Sequence, residues 1–212
     1  DITHEVAGVS NARVRFRYRG NHSWWLFIDD VVISEAPIAP VSRLVFENFS
    51  TATETTPPTG WTQNRITGAS WDVWHFDNPA DRVIRFPMSR PSAIFDSDSL
   101  SRLGGAEDVA LESPAFSASG NSTLNLQFNQ FFHGDSGGRA YVEVFNGTSW
   151  LEKWTSAISS PNPDTMCINI TSETAGVPNA RVRFRWTAAD WAWWWIVDNV
   201  EVRETPGVVP IQ

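Results

Sequence analysis

Residues 2–17 read ITHEVAGVSNARVRFR, and residues 170–185 read ITSETAGVPNARVRFR. Thirteen of these sixteen positions are identical at an offset of 168. After a one-residue slip, WWLFIDDVVISEAP (24–37) aligns with WWWIVDNVEVRETP (193–206). A self-match this long marks a repeat. In one copy Arg13, Arg15 and Arg17 alternate with Val14, Phe16 and Tyr18; in the other Arg181, Arg183 and Arg185 alternate with Val182, Phe184 and Trp186. Period two is the signature of a strand with the arginines toward solvent and the apolar residues toward a core. A short turn follows, then a tryptophan-rich strand ending in Asp29 or Asp198. Each copy therefore reads as a β-hairpin. A hairpin alone is marginal in water, so each needs a partner sheet.

The segment between the copies supplies such a body. LVFENF (44–49), DVALESPAF (108–116), the alternating Leu124, Leu126 and Phe128, AYVEVF (140–145) and SWLEKW (149–154) read as strands, broken by turn-rich stretches. Phe131 and Phe132 break the alternation that precedes them, and Trp191, Trp193 and Trp195 fall on one face of the final strand. The tail ETPGVVPIQ (204–212) resembles EAPIAPVSR (35–43), which leads into the body. The expected organisation is a closing hairpin of a preceding or neighbouring repeat at 1–37, a linker at 38–43, a complete sandwich domain at 44–206 and a linker to the next repeat at 207–212. The repeat length is then about 169 residues.

Composition narrows the class. The chain has 212 residues, 42% of them hydrophobic, enough for one sizeable core. Twelve tryptophans and thirteen phenylalanines, with no helical stripe, point to an all-β sandwich of two antiparallel sheets. A net charge of −8 removes the basic footprint that nucleic acid requires. The one cysteine, Cys167, allows no internal disulfide framework, and no apolar run approaches the length of a membrane span.

Several stretches, taken in order, carry a family likeness: Phe46-Glu47-Asn48-Phe49, Pro58-Thr59-Gly60-Trp61, Trp71, the Asp96-Ser97-Asp98 loop, Leu111 to Phe116, Ala175-Gly176, Arg181 to Phe184 and Trp195 to Val200. This order resembles the MAM-like jelly-roll domains of bacterial cell-surface proteins, of the cleaved-adhesin and "choice-of-anchor" type. The resemblance implies a concanavalin-like jelly roll, secretion to the cell surface, tandem arrangement and often a structural calcium ion. It implies no catalysis.

Calcium takes six to eight oxygen ligands and tolerates loop geometry. Asp96 and Asp98 stand two apart in an acidic loop, Glu47 lies on the first strand, Asp198 ends the last, and Asp108 is a further candidate. In a jelly roll whose terminal strands run side by side these carboxylates can converge, and the resemblance points to the same positions. The string GDSGG (134–138) also surrounds the nucleophile of trypsin-like proteases, but a nucleophilic serine needs a histidine base and an orienting group. Between two alternating strands it reads as a turn. His4, His22, His75 and His133 are scattered and form no zinc pattern.

Two functional readings stay open. The first is a non-catalytic extracellular adhesion repeat that associates with copies of itself or adjacent repeats through residues 1–37 by strand complementation, stabilised by calcium. The second is a calcium-dependent carbohydrate-binding module in which Trp71 and Trp191 stack on sugar rings.

Overall fold

The computed structural model describes residues 13–18, 28, 31, 42–100, 105–121, 123–134 and 136–204. The chain divides into two compact units, Asp1–Ile38 and Ala39–Gln212. Most of the hairpin expected at 1–37, the 38–43 linker apart from its last two residues, and the 207–212 linker lie outside the described residues. Residues 13–18 are exposed and belong to no strand.

The second unit is a β-sandwich of ten strands. They are β1 (Arg43–Glu47), β2 (Thr62–Thr67), β3 (Ala93–Asp96), β4 (Glu107–Glu112), β5 (Leu124–His133), β6 (Arg139–Phe145), β7 (Trp150–Ser156), β8 (Asp164–Asn169), β9 (Arg181–Ala188) and β10 (Trp194–Glu204). One sheet has the order β1-β10-β5-β8, with β3 also pairing with β10; the other has the order β2-β4-β9-β6-β7. The named strand pairings are antiparallel. Among the described residues no helix is long and apolar enough to cross a membrane.

The C-terminal copy of the repeat departs from the hairpin expectation. β9 and β10 follow each other in sequence but sit in opposite sheets, each at an interior position. The connection therefore crosses the sandwich as an arch. The reason lies in the side chains: Val182, Phe184 and Trp186 on β9 and Trp195 and Val197 on β10 are all fully buried, and the two sets face each other through one core. A hairpin would put both sets on one face of one sheet. Trp195 is surrounded by Trp74, Phe132, Trp154 and Phe184, with ring centroids 5.6–6.4 Å apart.

Two sequence expectations fail for local reasons. The alternation on β5 does not break at Phe131. Gln130 takes the inward position, fully buried, because its Oε1 accepts the indole N–H of Trp195 at 2.9 Å and its amide donates to Asp164. A buried amide is tolerated once its bonds are made. Trp191 and Trp193 do not share a strand face with Trp195, because β10 begins only at Trp194.

The arch tip is fastened by one buried carboxylate. Glu107 is 2% exposed; it accepts the indole N–H of Trp186 at 2.7 Å and the hydroxyl of Ser97 at 2.9 Å. Ser97 in turn accepts the Ala192 amide at 2.9 Å. The GDSGG string falls between β5 and β6, where the Ser136 hydroxyl accepts the amide of Trp193 at 2.9 Å. A side chain at Gly138 would stand 2.5 Å from the Trp186 ring, so close packing explains that glycine.

Candidate functional site

The five carboxylates singled out in the sequence fall in three places. Glu47 ends β1 opposite Val200 of β10, and Asp198 lies two residues before it. Asp198 is fully buried. Its Oδ2 accepts the Ser89 amide at 2.8 Å and its Oδ1 accepts the Asn199 amide at 2.7 Å. Asn199 has φ of 52°, and the β10–β5 register shifts between Asp198 and Glu201. Such a bulge re-aims a side chain. Burial pushes the Asp198 carboxyl up to about 6; the two amides work against it and the charge of Glu47 adds to it. Glu47 is raised by burial as well, against bonds from Phe49 and Asn48. Among the described residues neither carboxylate has an arginine or lysine partner.

Asp96 and Asp98 meet a cation of the protein's own. Arg82 donates to both oxygens of Asp96 at 2.7 and 2.8 Å and also to Asp98. Its guanidinium lies over the Trp194 ring at 3.8 Å. Asp96 is fully buried at the end of β3, and Asp98 sits in the helical turn Ser97–Leu100. The remaining Asp98 oxygen accepts the indole N–H of Trp191 at 3.0 Å.

Asp108 is on the other sheet, where its two oxygens accept from Nε and Nη2 of Arg185, each at 2.7 Å. That pair belongs to a ladder along the outer face. Arg183 donates to Glu143 at 2.6 Å and to Glu112 at 3.4 Å, and Arg181 reaches Glu112 at 3.8 Å. Each arginine also lies over an aromatic ring: Phe145, Trp150 and Tyr141 respectively for Arg181, Arg183 and Arg185. The arginines do face away from the core. However, Arg183 is only 7% exposed, since its charge is shared between carboxylates and its plane is covered by an indole.

Among the described residues no group of three or more His, Cys, Asp or Glu side chains is placed to hold a metal. Trp71 stands in the turn after β2, 46% exposed, and Trp191 precedes β10, 41% exposed. Sequence reasoning missed Arg82, Glu112 and Glu143. Their roles depend on cross-strand and loop partners far apart in the chain.

No family profile matches the sequence, and no curated protein matches it significantly. Solved structures do match the backbone just described. The K3 cleaved adhesin domain of Lys-gingipain from Porphyromonas gingivalis superposes with a TM-score of 0.56 at 12% identity, over 78% of this chain and 99% of that domain. The K2 domain of Lys-gingipain gives 0.57 at 12% identity, over 77% and 98%. The K1 domain gives 0.55 at 15% identity, over 76% and 98%. The fold is that of the cleaved adhesin domains. At such identities the cleaved-adhesin likeness speaks for architecture, so the roles of Glu47, Asp198 and Trp191 rest on the geometry above.

Proposed function

We propose that this chain is a non-catalytic extracellular adhesion repeat whose first 37 residues complete a sandwich body other than its own. One comparison carries this reading. Val14, Phe16, Tyr18, Ile28 and Val31 are 43–53% exposed, while their repeat counterparts Val182, Phe184, Trp186, Val197 and Val200 are fully buried. The counterparts are buried because they form an arch between two sheets. An arch has no ladder between its own strands and depends on strands from elsewhere. The N-terminal copy also carries Arg13, Arg15 and Arg17, matching the arginines that pair with Glu112, Glu143 and Asp108 on β4 and β6. The occupant that fits is thus a body of this same kind, with apolar inner faces and acidic outer ones. This is strand complementation, in which main-chain ladders give affinity and side-chain pockets give register. The cleaved-adhesin fold supports placing such a module at a cell surface.

Calcium belongs to the same reading, at Glu47 and Asp198 alone. Two carboxylates raised by burial, without a basic partner among the described residues, suit a hard cation, with backbone carbonyls and water completing its shell. Asp96, Asp98 and Asp108 do not suit it, because guanidinium groups take their oxygens. An ion there clamps the first strand to the last.

The test mixes the full chain with a variant ending at Asn169, which keeps β1 to β8 and lacks β9 and β10. A peptide of residues 170–206 is the positive arm. A one-to-one complex by analytical ultracentrifugation, lost in Phe16→Asp, is the expected result. Binding of the peptide but not of the full chain overturns the reading. Sedimentation of the full chain alone then assigns the occupant: growth of mass with concentration indicates a neighbouring copy, and a constant monomer indicates a preceding repeat.

A further inference from the structure

The geometry points to Trp191 as the platform of a binding site for a neutral sugar ring, independent of the strand-complementation reading. Trp191 is exposed on its surface side yet held from three directions. Its indole N–H donates to Asp98, its amide donates to Asp190 at 2.8 Å, and its ring meets Trp193 edge to face with centroids 4.8 Å apart. The supports are themselves fixed. Trp193 lies flat on His133, 4.8 Å away at an interplanar angle of 4°. Asp98 is gripped by Arg82, which is anchored on buried Asp96 and on the Trp194 ring.

Hydrophobic burial does not account for this arrangement. A tryptophan that served only the core would turn inward, as Trp186 and Trp195 do. Here hydrogen bonds and stacked rings hold a large apolar surface at the water boundary. A surface held in that way loses little conformational freedom when a ligand arrives. Trp71, similarly exposed, has no side-chain hydrogen bond or ring contact among the described residues.

The chemistry around the indole selects the ligand. The Asp98 carboxylate stands at the indole N–H and the Asp190 carboxylate at the Trp191 backbone amide, and both accept hydrogen bonds only. A pyranose offers the complement: a C–H face to lie on the indole and hydroxyl donors for the carboxylates. An acidic sugar would meet two carboxylates and a chain of net charge −8, while the nearby Arg82 is already committed. A quaternary ammonium ligand needs several ring faces around one point. Trp193 has one face on His133, which leaves a platform and not a cage.

The test uses the full chain and follows indole N–H signals by NMR. The titrants are methyl β-D-glucopyranoside, methyl β-D-galactopyranoside, methyl α-D-mannopyranoside, glucuronate and choline. The Trp191 signal is expected to shift with at least one neutral glycoside and not with glucuronate. Trp191→Ala should weaken that binding about tenfold or more, with the far-ultraviolet circular dichroism of the sandwich retained. Trp71→Ala should bind as the parent does. The inference is overturned if no neutral glycoside shifts Trp191, if Trp191→Ala binds as well as the parent, if glucuronate binds equally well, or if choline alone binds.

Discussion

Phe184 on β9 and Trp195 on β10 meet edge to face across the sandwich, their ring centroids 5.7 Å apart. This contact makes the repeated segment an arch and gives it one strand in each sheet. Replacing Phe184 with alanine removes a fully buried ring from the centre of the core and should cost about 3–5 kcal/mol. The same substitution at Phe16, its counterpart in the first copy, should change the stability of the isolated chain by less than about 0.5 kcal/mol. Urea denaturation of the two variants reads the difference directly. Equal costs would mean that Phe16 is already covered within one chain.

Arg183 carries the second expectation. It is almost buried and bonded to Glu143 and Glu112, which are buried with it. Arg183→Met keeps much of the apolar stem but leaves the buried carboxylates of Glu112 and Glu143 with less compensation. Removing one partner of a buried pair costs about 3–5 kcal/mol. The double variant Arg183→Met with Glu143→Gln should recover part of that loss, because one of the stranded charges is gone. A double variant no more stable than the single one would show that the ladder does not act as a charge network.

Gly138 gives a steric expectation. A methyl group there would stand 2.5 Å and 2.6 Å from two carbons of the Trp186 ring and 3.1 Å from Ala192. Trp186 cannot retreat easily, since Glu107 holds its indole nitrogen and Phe95 and Phe132 pack on its ring. Gly138→Ala should therefore destabilise by about 1–3 kcal/mol, as overpacking does. Thermal melting, with near-ultraviolet circular dichroism as a probe of Trp186, checks it. An unchanged spectrum and melting point would mean that the turn moves freely.

What the sequence could convey follows from which interactions are local. Period-two alternation in RVRFR placed Val182 and Phe184 inward and Arg181, Arg183 and Arg185 outward, since side-chain direction in a strand is a nearest-neighbour property. The two-sheet sandwich was legible for the same reason, while its jelly-roll form was what the family resemblance implied. Sheet membership is not local: the residues that fix β9 beside β4 and β10 beside β5 lie far away in the chain, so an arch and a hairpin look alike in one dimension. The candidate site divided along the same line. Trp191 and Asp198 stood out by residue type. That Asp96 and Asp98 belong to Arg82, and Asp108 to Arg185, required knowing which loop crosses which strand. Gln130 shows the converse: a polar residue interrupted the apolar pattern only because its partner, Trp195, was out of view.

Asp198 provides a pH dependence with a definite sign. Its carboxyl, ordinarily near 3.8, is raised to about 6 by burial and by Glu47. A raised carboxyl favours the folded state only when protonated. Its contribution is therefore greatest below the unfolded value and is lost as pH climbs through about 4 to about 6. Across that window the cation-free protein should lose about 2–3 kcal/mol relative to an Asp198→Asn variant. The comparison cancels the other carboxylates and any constant cost of the substitution. Added calcium should reverse the trend above pH 6, because the ionised form is the one that binds a cation, and the variant should respond little. Parallel stability curves for parent and variant between pH 4 and 7 would show that Asp198 keeps an ordinary carboxyl. A calcium response that survived in the variant would place the ion away from Glu47 and Asp198.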